Sequence, residues 1–143
     1  MAHDHDHHDH HDHEHRHDHL ETAEFEWGLV ELEAHVHDQA ATVSMNVQPQ
    51  GERSITFSDL VGAMCSIARA AESAGGVVGH IKAFARQGGE SARASVTAPE
   101  LAPTVEGDPA LLLGTGATIQ LVAIVLLIGK EDLLAICKGA LIL

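Results

Sequence analysis

The 143-residue chain sets 21 acidic against 8 basic side chains, a formal charge of −13. That balance argues against a nucleic-acid backbone as partner and favours cations. Tyrosine is absent and the aromatic side chains are Phe25, Trp27, Phe57 and Phe84, too few for binding single strands by base stacking. Cys65 and Cys137 fall in separate helix-like segments, which fits a reducing compartment rather than a disulfide scaffold. No apolar run follows a basic start, so a cytoplasmic location is expected.

Residues 1 to 24 read as a disordered arm, and residues 25 to 143 as a single domain. Within the first nineteen residues stand ten histidines, His3, His5, His7, His8, His10, His11, His13, His15, His17 and His19, among five Asp and Glu14, with Arg16 as the sole base. No packed core asks for that composition, whereas a metal does. Imidazole ligates Zn, Ni, Co and Cu, and the interleaved carboxylates add oxygen donors.

The domain opens on alternation. From Phe25 to Asp38, Val30, Leu32, Ala34 and Val36 face one way and Glu31, Glu33, His35 and His37 the other, which predicts a half-buried strand. Ala41 to Val47 repeats the period, so Asp38 to Ala40 is expected to turn a hairpin. From Phe57 the spacing changes to threes and fours through Leu60, Val61, Met64, Ile67, Ala68 and Ala71, the mark of an amphipathic helix. Thr56 with Asp59 forms a capping box, and Gly75-Gly76 supplies the stop.

A second extended pair, Val77 to Arg86 and Ser91 to Thr97, is joined by Gln87-Gly88-Gly89-Glu90, whose glycines suit a tight turn. Residues 98 to 109 hold three prolines and three acids and read as a solvated connection. Ala110 to Gly129 is uncharged for twenty residues, about enough to span a bilayer. Gly114, Thr115, Gly116 and Gln120 interrupt it, and its β-branched content points instead to a central strand covered on both faces. A last apolar helix runs from Gly129-Lys130 to about Leu141. The fold class is therefore α+β: a mainly antiparallel sheet of about five strands with two helices on one face. So much apolar surface on so small a domain also predicts a homo-oligomer.

Alternate residues of an extended arm point the same way about 7 Å apart, so three or four imidazoles can curl around one ion and ten can hold about two or three. Such exchanging sites suit storage or hand-over, because a catalytic metal needs rigid ligands and an open coordination position. Imidazole titrates near pH 6.5, so acid would swing the arm from about −5 toward about +5 and release its metal. His35 and His37, beside Glu31 and Glu33, are the natural docking point, where an ion could join both histidines and a carboxylate.

The run HDHDHHDHHDHEHRHDH resembles the histidine-rich arms of nickel and zinc accessory proteins: hydrogenase and urease maturation factors, metal-chaperone GTPases and metal-transporter loops. The resemblance is confined to the first nineteen residues. It implies buffering or delivery of metal, nickel foremost with zinc or cobalt behind, to a recipient metalloprotein or its maturation machinery. The remaining chain departs from the GTPase members, since it lacks a G-x-x-x-x-G-K-[ST] loop: Gly129-Lys130 is followed by Glu131.

Two other readings of the segment are a solvated tail without a metal role and an appended tag, the latter disfavoured by the interspersed Asp, Glu and Arg. On either, the domain would be a small-ligand-binding or enzymatic module with its site near His80, where Lys82 alternates onto the same face, or between subunits. Cys65 and Cys137 read as small core residues, or as soft-metal ligands if the fold brings them to His80. There is no nucleophile elbow, HExxH, phosphate loop or paired-carboxylate signature to mark an enzyme.

Overall fold

The computed structural model describes residues 19–143; the arm histidines His3, His5, His7, His8, His10, His11, His13, His15 and His17 lie outside the described residues. Chain order is β1 (His19–Phe25), β2 (Gly28–His37), β3 (Ala40–Pro49), β4 (Ile55–Thr56), α1 (Phe57–Ser73), β5 (Val77–Gln87), β6 (Glu90–Val96), β7 (Thr104–Glu106), β8 (Leu112–Leu113), β9 (Thr118–Leu126) and α2 (Lys130–Ala140). Seven strands form one sheet in the order β1-β2-β3-β9-β5-β6-β7, and β4 pairs with β8 apart from it. Every neighbouring pair is antiparallel. The class is α+β.

Each strand sends alternate side chains into a shared core. Leu32, Val43, Leu121, Ile81 and Ala94 from five adjacent strands pack with Leu60, Met64 and Ile67 of α1 and Leu133 and Cys137 of α2. Both helices therefore cover one face of the sheet, as expected. The other face carries neither helix among the described residues.

The sheet is wider than the pattern predicts, for three local reasons. The strand expected from Phe25 to Asp38 is broken by a turn at Glu26-Trp27, where Phe25 pairs with Gly28. A Cβ on Gly28 would lie 2.2 Å from the Gln48 carbonyl oxygen, so glycine lets the hairpin close against β3. The strand before that turn, β1, begins at His19, six residues ahead of the expected domain start. Within the proline-rich connection, Thr104 to Glu106 pair with β6 and form the edge strand β7.

The uncharged segment from Ala110 to Gly129 contains β8, a turn and β9. Among the described residues no helix is long and apolar enough to cross a membrane. Strand β9 is central, between β3 and β5, but it is covered on one face only: Ile119, Leu121, Ala123 and Val125 are buried, while Gln120 is exposed and Val122, Ile124 and Leu126 are half-buried. The expectation of cover on both faces is thus corrected. Because β9 arrives last and inserts between β3 and β5, the β3-α1-β5 crossover is split by a strand from the far end of the chain.

The helix ends are those the sequence signals. The Thr56 hydroxyl oxygen accepts from the Asp59 amide at 3.1 Å and the Asp59 carboxylate accepts from the Thr56 amide at 2.9 Å. At the other end Gly75, with φ +89, donates to the Glu72 carbonyl, and Gly76 donates to that of Ala71, both at 2.9 Å. This is the paired closure that a left-handed glycine permits. Helix α2 is fastened to the first hairpin, where the buried Trp27 donates from Nε1 to the Leu141 carbonyl at 2.9 Å and Lys138 reaches Glu21 at 2.6 Å.

Candidate metal centre and open sheet face

Strand alternation puts Glu31, Glu33, His35 and His37 on the open face of β2. His35 is half-buried; His37 is exposed and lies 3.7 Å from the Asp38 carboxylate, across the start of the tight turn into β3. Side chains two residues apart on one strand stand about 7 Å apart at their backbones, a separation that two imidazoles can bridge through one ion. A carboxylate was expected to complete the set. Among the described residues, however, no group of three His, Cys, Asp or Glu is placed to hold an ion. An ion on His35 and His37 therefore needs another ligand from elsewhere.

His80 stands in the same row of the sheet. His35 pairs with Thr42, Thr42 with Ile124, and Ile124 with His80, which sets the two histidines three strand spacings apart, about 14 Å. The register shifts between Val78 and His80. Gly79 fills that bulge, where a Cβ would sit 3.2 Å from the Ile124 carbonyl oxygen; a Cβ on Gly76 would lie 2.8 Å from Val125 Cγ1. These glycines are used for close backbone packing.

His19 is held on the other side of the sheet, in β1, with Nε2 2.7 Å from the Glu21 carboxylate. A carboxylate only accepts, so neutral His19 carries its proton on Nε2 and leaves Nδ1 for a metal. Glu21 also binds Lys138, and these two partners, Lys138 first, hold its carboxyl below the ordinary value.

His19, His35, His37 and His80 share one end of the sheet. His19 pairs with Ala34, next to His35, and the chain preceding His19 joins the sheet at that end. Cys65 and Cys137 belong to the helix layer on the far side from His80 and form no metal set with it. Both are free thiols, and burial pushes the Cys137 thiol up to about 12.

Sequence reading alone did not reveal the recess on the open face, a hollow of about 720 Å³. Its floor is Ser44, Asn46, Gln120 and Val122 on β3 and β9. One flank carries Glu31 and Glu33 on β2. The opposite flank carries Lys82 and Phe84 on β5 with Arg93 on β6, whose guanidinium lies 5.6 Å from the Phe84 ring centre. Alternation identified the polar side of each strand, but only strand order shows that Glu31 and Glu33 face Lys82 and Arg93 across the recess, with Glu106 on β7 paired beside Arg93 at the outer rim. No family model, curated protein or solved structure matches the chain.

Proposed function

We propose that the protein is a metal-ion-binding accessory protein that buffers a divalent transition metal, nickel foremost, and hands it to a recipient metalloprotein or its maturation machinery. The observation that carries this reading is the gathering of His35, His37 and His80 on one face at the end of the sheet where the arm joins. Strand β1 begins at that end with His19, nine further histidines precede it in the sequence, and the histidine pair there needs an outside ligand, so an ion held by the arm would pass to the pair by ligand exchange without leaving the protein. Nickel rests on the resemblance of the arm; intrinsic ligand affinity alone would rank copper higher.

Calorimetric Ni(II) and Zn(II) titration of the full chain and of a chain lacking residues 1 to 18 tests the proposal. More than one ion per full chain is expected, with one weaker site left after the arm is removed. Absence of micromolar binding in both forms would sink it. The recess supports a second reading, a site for a small anionic ligand between Lys82, Arg93 and Phe84. On that reading removal of the arm leaves function intact.

A further inference from the structure

We propose that a second copy of this chain docks on the open sheet face, related to the first by a two-fold axis parallel to the strands and lying between β3 and β9. The charge distribution selects that axis. The face carries carboxylates Glu24, Glu31 and Glu33 on β1 and β2 and cations Lys82, Arg86 and Arg93 on β5 and β6, with uncharged side chains on β3 and β9 between; Glu106 lies on the β7 edge, outside the strands that the rotation exchanges. A closed pair needs a self-complementary patch. Rotation about an axis along the strands exchanges β2 with β5 and β3 with β9 and preserves the height of every row. Row pairing through Ser44 and Val122 puts Glu33 level with Lys82, so each Glu33 meets the partner's Lys82. Each Glu31 meets the partner's Phe84, between the partner's Lys82 and the partner's Arg86. An axis across the strands would instead set carboxylate on carboxylate, a repulsive arrangement.

Shape and hydropathy agree with charge. Because the face is hollow at its centre, two copies touch first along their flanks, where the charges are, and their recesses merge into one chamber. Ile124 and Leu126 on β9 are half-buried without a helix above them, and they come under the partner's β3. Leu20 on β1, 73% exposed, comes under the partner's β6.

The same rotation carries a consequence that rests on the metal-binding reading. His35 and His80 share a row and exchange places, so each His35 faces the partner's His80. Stacked sheets lie about 10 Å apart, a gap two imidazoles can span with one ion at about 2 Å from each nitrogen. Both arms then enter at the same end of the dimer.

The test is the mass of the full chain by light scattering and sedimentation in chelator-containing buffer, for the wild type, Glu33→Lys, Lys82→Glu and the double exchange. The wild type should run at twice the chain mass. Each single reversal should weaken association about tenfold or more, and the double exchange should restore it, as charge pairing requires; far-ultraviolet circular dichroism verifies that each variant is folded. A monomeric wild type overturns the proposal, as does a dimer indifferent to the single reversals or a double exchange that fails to recover. Added Zn(II) should tighten the wild-type dimer but not His80→Ala; equal tightening in both overturns the histidine pairing. Because the first comparison is free of metal, failure of the dimer and failure of metal binding give separate results.

Discussion

At the scale of single residues, the histidines divide by what the fold does with them. His19 is tied to Glu21, whereas His35 and His37 are presented on a strand face with only two ligands between them. In the chain lacking residues 1 to 18, His35→Ala/His37→Ala should abolish the residual metal site; unchanged binding would remove the pair from the proposal. Glu21 offers a separate pH readout. Its carboxyl titrates below the ordinary 4.5, so its ion pair with Lys138 adds stability above that value and loses it as pH falls through the folded-state pKa. Glu21→Gln should therefore cost under about 1 kcal/mol at pH 7, given that the pair is partly solvated, and the stabilities of wild type and variant should converge as pH falls through the folded-state pKa of Glu21.

Among the elements, α1 is the most legible, because its start and stop rely on local chemistry alone. Thr56→Ala removes the hydroxyl that accepts from Asp59 and should cost about 1 kcal/mol in urea denaturation. The first hairpin depends instead on a distant contact: Gly28 is needed because the β3 backbone passes behind it. Gly28→Ala should cost more than about 2 kcal/mol, since the obstructing atom is a main-chain oxygen that cannot turn aside. A smaller loss would mean that the Glu26-Trp27 turn can open without disturbing β2. Periodicity also identified β9 as a strand; nothing in its residues said that one of its faces would lack a helix.

For the whole molecule, the histidine content of the arm gives the proposed function its pH dependence. Imidazole ligands are lost on protonation, so metal bound by the full chain should be half released near pH 6, read by dialysis and elemental analysis across pH 5 to 8. Retention at pH 5 would point to carboxylate or amide ligation and remove the histidines from the leading role. The negative charge of the domain, about −8 outside the arm, acts in the same direction by raising the local concentration of cations near the sheet.

The sequence by itself determined five strands of the sheet and both helices. Alternation in Val30 to His37, the three-and-four spacing of α1, its capping pair and the glycine turns are local signals, legible because each depends on residues within a turn or a strand of one another. The proposal that the arm ligates metal rests on composition and needs no fold to be read. Only the tertiary structure decided that β9 inserts between β3 and β5, that His80 joins the row of His35, and that Glu33 and Lys82 flank one recess. Those juxtapositions join residues up to about ninety positions apart in the chain, and they arise from strand order, which is set by how the whole apolar surface is buried rather than by any one segment. The edge strands β1 and β7 escaped the sequence reading for the same reason: each is a strand because an edge was waiting for it.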